Sequence, residues 1–161
     1  MNQIEKLPRE IKFIWRLNAY LDFTFLLLVT VGIFIWQLLA PIGMKQPLTW
    51  SFIVLLIISI ITLLIELALV NYHWNFWTYL IDERHVELHH GFFFRKQTII
   101  PIARVQNVTL KQGPFLRLKN LQKVEIVTAA GSSKIDGLLS SQADVLKELI
   151  MKLAQEAQND L

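Results

Sequence analysis

The sequence predicts an α+β membrane protein: a two-helix transmembrane hairpin, then a small antiparallel β-sandwich or barrel closed by a C-terminal α-helix. Of its 161 residues, 53% are hydrophobic, more than a soluble domain can cover with polar surface. Residues 23–44 and 46–65 contain no charged side chain, whereas the chain from Asp82 onward has mixed charge. After Val70 the apolar pattern breaks into short alternating runs, which indicate strands.

Residues 1–16 form a short N-terminal segment ahead of the first span. Residues 17–40 and 48–71 each supply the roughly 20 apolar residues that a helix needs to cross a bilayer. A cleaved signal peptide is a weaker interpretation of the first run, because the run is long and a second span follows at once. Residues 41–47 contain two prolines and a glycine, so they predict a short external turn between antiparallel helices.

The basic residues around the two spans predict the orientation of the chain. Four precede the first span, whereas the connecting turn carries only Lys45. Because basic flanks stay in the cytoplasm, we expect a multi-pass protein of the bacterial plasma membrane with both termini cytoplasmic. The four residues are Lys6, Arg9, Lys12 and Arg16.

Two carboxylates interrupt the apolar character of the spans. Asp22 and Glu66 both lie within about two helical turns of the predicted cytoplasmic ends. Water and long basic side chains such as Arg16 can reach that depth, which favours an interfacial position. An ion or proton pathway is the alternative, since ionisable residues inside membranes commonly serve function.

Residues 72–161 predict the cytoplasmic domain. Two strands flank the turn at residues 82–84, and further strands are expected within residues 92–102, 107–113, 123–131 and 132–138, with a helical turn after Pro114. A final helix starts near Ser141, where Asp144 completes a capping-box-like pattern. Its apolar stripe consists of Leu146, Leu149, Ile150, Leu153 and Ala157.

No pattern in the chain indicates catalysis, a metal or a cofactor. The absence of cysteine excludes thiolate zinc sites and cysteine nucleophiles, and there is no glycine-rich phosphate loop or hydrolase motif. His85, Glu87 and His89 share one strand face and form a formal metal triad, but the polar face of a sheet explains them more simply. The basic residues form no stripe suited to nucleic acid, and no small-molecule substrate is indicated.

Several motifs downstream of Gly91 resemble the bacterial pleckstrin-homology (PH) domain of YdbS-like membrane proteins, and the N-terminal segment and two spans look like the same family. The resemblance implies a PH-like fold and a non-enzymatic membrane protein. It departs from the family pattern near Asn120, where we expect a glycine; asparagine tolerates the left-handed backbone that such a turn needs. The matching residues, also candidate interaction residues, are Pro101, Arg104, Gln106, Gln112, Gly113 and Pro114.

The leading functional interpretation is a membrane-tethered interaction or scaffold module that self-associates or pairs with a related membrane protein. Alternatives are an anionic-lipid-binding module, with Arg95 and Lys96 as candidate headgroup contacts, and an accessory subunit of a transporter. Phosphoinositide-binding relatives carry several basic residues around the first hairpin of the fold. We take that hairpin to be the turn at residues 82–84, whose acidic Asp82 and Glu83 disfavour headgroup-specific binding.

Overall fold

Two long helices form the apolar part of the chain. The computed structural model describes residues 5–91 and 93–159. Helix α1 spans Ile11–Leu39 and helix α2 spans Ile42–Phe76. Both are long and apolar enough to cross a membrane.

The two helices run antiparallel where they join. The Gln37 side chain donates to the Thr49 hydroxyl at 2.8 Å, and the rings of Phe34 and Phe52 lie 5.3 Å apart. The turn predicted at residues 41–47 is too long, because α2 begins at Ile42. The prolines and glycine suggested a turn, yet only Pro41 lies outside the helices, and α2 accommodates Gly43 and Pro47 near its start, where few backbone bonds are lost.

The chain forms two compact units. One is Trp15–Asn71; the other combines the first fourteen residues with the chain from Tyr72 onward. The predicted bounds of the domain, residues 72–161, therefore omit the segment before Trp15, which belongs to the same unit. We call the second unit the PH-like domain.

In the part of the PH-like domain that the structure describes there are seven strands, two further α-helices and a 3-10 turn at Ile102–Arg104. Strands β1 to β4 form one sheet in sequence order, and β5 to β7 form the other. The strands are β1 Glu5–Lys6, β2 Thr78–Ile81, β3 His85–His90, β4 Lys96–Pro101, β5 Val105–Lys111, β6 Leu121–Thr128 and β7 Gly131–Leu139. The helices are α3 Pro114–Arg117 and α4 Ser140–Asn159.

The first strand of the four-stranded sheet comes from the N-terminal segment. Glu5 pairs with Tyr79 and Lys6 pairs with Thr78, both antiparallel. The connection between β1 and β2, which is the first hairpin of the sheet, therefore contains both apolar helices. The turn at residues 82–84 is therefore the second connection of this sheet and joins β2 to β3.

Alternating apolar residues of both sheets form the core. Val86 and Leu88 of β3 are buried, as the alternation predicted, and Leu7 and Ile11 from the N-terminal segment are each only 2% exposed. Sheet β5–β7 and helix α4 supply most of the remaining core. These residues are Val105, Val108, Leu121, Val124, Ile126, Ile135, Leu138, Ala143, Leu146, Ile150 and Ala154.

Helix α4 packs with the apolar stripe that the sequence predicted, although two details differ. The helix begins at Ser140, one residue ahead of the predicted start, and the Ser140 hydroxyl donates to the carbonyl of Asn120 at 3.0 Å. Leu149 is only half-buried, whereas Ile150 is fully buried. The helix is rotated slightly from the expected face, so Ile150 anchors it.

Candidate functional site

The connections to the two apolar helices and the β3–β4 loop all lie at one end of the four-stranded sheet. Lys6 pairs with Thr78, Thr78 with His89, and His89 with Gln97, so these residues lie side by side across the sheet. The chain leaves β1 and re-enters β2 at this end, and the connection from β3 to β4, with Gly91 and residues 93–95 described, lies there too. We call it the span-side end. The turn at residues 82–84 lies at the opposite end.

A basic cluster surrounds Trp74 in the last turn of α2. Its indole nitrogen donates to the carbonyl of Leu7 at 2.9 Å, which ties the N-terminal segment to the helix. The ammonium of Lys12 lies 3.9 Å from the centre of the ring, Lys6 at 5.6 Å and Arg9 at 6.0 Å. Three cations thus lie within about 6 Å of the centre of one aromatic ring, a distance at which cation–π attraction operates.

The β3–β4 loop carries exposed phenylalanines beside basic residues. Phe93 and Phe94 are 81% and 93% exposed, and Arg95 and Lys96 follow them on the surface. The backbone N–H of Phe93 donates to the Tyr72 hydroxyl at 3.0 Å, and the two rings stack 6.1 Å apart. This contact ties the loop to the end of α2.

Gly91 sets the path of that loop. Its φ is +77°, in the left-handed region, and its N–H donates to the carbonyl of Phe76 at 3.2 Å. A Cβ at this position would overlap the carbonyl oxygen of Phe94. Glycine is therefore required for the tight turn that precedes the exposed phenylalanines.

The predicted histidine row is present on the solvent side of the four-stranded sheet. Ring nitrogens of His85 and His89 each lie 2.9 Å from a different oxygen of Glu87, and Gln97 donates to that carboxylate at 3.1 Å. Hydrogen bonds from His89, Gln97 and His85 outweigh the partial burial and lower the pKa of Glu87. Among residues 5–91 and 93–159, no group of histidine and carboxylate side chains has metal-binding geometry.

A pocket of about 370 Å³ lies between the start of α4 and the β1–β2 strands. The Tyr79 hydroxyl and the Glu5 carboxylate line it together with apolar Val145 and Leu149. Tyr79 donates to Glu5 at 2.5 Å, and burial together with that carboxylate raises the pKa of Tyr79. The phenol is therefore a neutral donor already engaged by Glu5.

The candidate interaction residues of the family motif fall into two groups at opposite ends of β5. Pro101, Arg104 and Gln106 are exposed around its start, where Gln106 lies at a register shift between β5 and β6. Gln112 at the other end donates to the carbonyl of Leu121 at 2.9 Å. Gly113 and Pro114, which follow it, open helix α3. The fold thus accounts for the second group without a ligand.

The two acidic residues of the spans are positioned differently. Asp22 is exposed on the surface of α1, and Glu66 on α2 is half-buried. The helical hairpin by itself therefore leaves the Asp22 carboxylate uncovered.

Sequence reasoning named Arg95 and Lys96 as candidate headgroup contacts, which stay a prediction, but did not single out the exposed Phe93 and Phe94 beside them. It expected a strand within residues 92–102, which would have included the aromatic run. The glycine ahead of that run was the available signal, because a left-handed turn there ends the strand at His90.

Comparison with known proteins places the chain among bacterial membrane proteins. The family model described as "Bacterial PH domain" matches residues 17–154. The chain is 36% identical over 85 residues to the UPF0699 transmembrane protein YdbS of Bacillus subtilis strain 168, which covers 53% of this chain and 54% of YdbS. It is 30% identical over 93 residues to UPF0699 transmembrane protein YdbT of the same strain, covering 55% of this chain and 19% of YdbT. The matches thus span about half of one relative and about a fifth of the other. No solved structure matches the chain.

Proposed function

Because this chain belongs to the bacterial PH domain family, we propose that it is a membrane-anchored interaction module and not an enzyme. Its PH-like domain lies at the cytoplasmic face of the bacterial plasma membrane. Its spans associate with a second copy of the chain or with a related membrane protein.

The pairing of β1 with β2 supports this placement. Residues 5–6 precede the two apolar helices and residues 78–81 follow them, yet they share one sheet. Both segments must lie on the same side of the bilayer, as they do when the hairpin crosses twice. The basic residues ahead of α1 favour the cytoplasmic side for both.

The exposure of Asp22 is the main observation that supports association of the spans with another chain. The residue precedes an uncharged stretch of apolar helix and lies on the outer surface of the hairpin. Carboxylates at membrane depth usually face protein or water, because lipid cannot solvate them. A helix from a second chain covers Asp22 and supplies it with a hydrogen-bond donor.

The test measures self-association of the full-length protein in lipid vesicles by energy transfer between two labelled populations. We expect Asp22→Leu to weaken association by about tenfold, as the loss of one interhelical hydrogen bond predicts. Thr24→Leu is the matched control, because Thr24 is exposed nearby and its hydroxyl donates to the carbonyl of Tyr20 in its own helix. If Asp22→Leu and Thr24→Leu associate equally well, Asp22 instead lies at the boundary between membrane and water and does not contact a second chain.

The basic cluster at Trp74 favours a second candidate function, anionic-lipid binding. Lys6, Arg9 and Lys12 converge on one ring, and each basic residue near an anionic surface contributes about 1 kcal/mol. Selective retention of anionic lipid by the purified protein, lost when all three become glutamine, would favour this function over the interaction module.

A further inference from the structure

The β3–β4 loop exposes an apolar surface that the PH-like domain itself leaves uncovered. Phe93 and Phe94 are 81% and 93% exposed, whereas Trp77 and Tyr79 of the same domain are buried. Adjacent exposed phenylalanines of this size generally mark a surface that meets another apolar phase. The next two residues, Arg95 and Lys96, are basic and also exposed.

The position of the loop indicates that the apolar surroundings of its phenylalanines are the membrane. It lies at the span-side end of the sheet, beside the strand ends at which the chain departs for the apolar helices and returns from them. Phe93 contacts Tyr72, which lies two residues beyond Val70, where the continuous apolar run of α2 ends. The loop is therefore tied to the point where α2 reaches the headgroup layer.

We propose that Phe93 and Phe94 insert into the interfacial layer of the bilayer that holds the spans, while Arg95 and Lys96 contact lipid phosphates. Apolar rings next to basic side chains suit the boundary between acyl chains and anionic headgroups. The insertion fixes the orientation of the PH-like domain against the membrane. It rests on the membrane anchoring proposed above but requires no protein partner.

The backbone geometry at Gly91 helps to fix the conformation of the loop. The left-handed turn at Gly91 and the bond from Phe93 to Tyr72 set its path, so the rings are presented at a defined place. Rings held in place in this way insert without first paying the entropy of ordering the loop.

Spin labels test the insertion in the full-length protein, which contains no native cysteine. Single cysteines replace Phe94, Glu83 and Ile57 in separate proteins reconstituted alone in vesicles of zwitterionic and anionic lipid. Accessibility of each nitroxide to oxygen and to a water-soluble nickel chelate reports its depth. Glu83 is the exposed control at the opposite end of the sheet, and Ile57, exposed on α2, reports insertion of the spans.

The expected depth of the label at residue 94 is about 5–10 Å below the phosphates, with an oxygen-to-chelate accessibility ratio several-fold above that at residue 83. Gly91→Ala should shift the label at 94 toward water while circular dichroism shows the fold retained. A label at 94 as open to the chelate as the one at 83, with residue 57 still deep, overturns the insertion alone. A label at 94 shielded from both reagents also overturns it, because protein would then cover the loop. A chelate-accessible label at 57 would instead contradict the membrane anchoring itself.

Discussion

Gly137 shows how one residue joins segments that are far apart in the chain. Its φ is +76°, and a Cβ would overlap the side chain of Ile11, which lies before the spans. The close approach lets Ile11 bury completely against β7. Sequence analysis correctly predicted the left-handed position at Asn120, whose φ is +53°, from the missing glycine of the family pattern. It could not predict the role of Gly137, because its neighbour Ile11 precedes the spans.

Gly137→Ala should destabilise the PH-like domain by about 2–5 kcal/mol, since it combines backbone strain with overpacking of the core. Chemical denaturation of the detergent-solubilised protein, followed by circular dichroism of its sheet signal, measures the change. Gly113→Ala is the control: its φ is −82° and nothing lies near its Cβ position, so we expect less than about 0.5 kcal/mol. If the two substitutions cost the same, the N-terminal segment does not pack on β7.

Most elements of the PH-like domain could be predicted because their patterns are local. The hairpin at residues 82–84 and helix α4 follow from alternation, turn residues and an apolar stripe. Strand β1 could not be predicted, since Glu5–Lys6 is two polar residues long and its partner lies beyond both spans. Patterns alone also left the rotation of α4 uncertain, because adjacent Leu149 and Ile150 both fit its stripe.

Helix α4 should depend on Ile150 far more than on its charged face. Ile150 is 0% exposed, so Ile150→Ala should cost about 2–5 kcal/mol through lost burial and a cavity. Lys147 is exposed on the same helix, and Lys147→Ala should cost less than about 0.5 kcal/mol. Urea unfolding midpoints of the two variants provide the comparison; similar small shifts would show that α4 is not docked on the sheets.

At the scale of the whole molecule, the sequence predicted the membrane character and the PH-like fold. The predicted division of the chain was too simple, however, because it treated the N-terminal segment as separate from the domain that follows the spans. The structure assigns residues before Trp15 to the same unit as the chain from Tyr72 onward. Hydropathy reports the spans directly, but it contains no information on which flanking segments pair with each other.

The topology proposed above predicts an accessibility pattern in intact cells. A cysteine at Lys45, near the start of α2, should react with an impermeant thiol reagent from outside. A cysteine at Ser132, exposed at the start of β7, should react only after the membrane is permeabilised. The absence of native cysteine keeps the background low. The reverse pattern would place the PH-like domain outside the cell.

The insertion of both apolar helices between β1 and β2 also orders the biogenesis of the protein. During synthesis, Glu5 and Lys6 emerge from the ribosome well before their partners Tyr79 and Thr78. On the topology proposed above, β1 can pair with β2 only after both spans have entered the bilayer and the chain has returned to its original side. If the chain crossed the bilayer only once, β1, Leu7 and Ile11 would lie on the opposite side from the rest of the PH-like domain. The core would then lack the two buried side chains Leu7 and Ile11. On this topology, the core of the PH-like domain can close only after the chain has crossed the bilayer a second time.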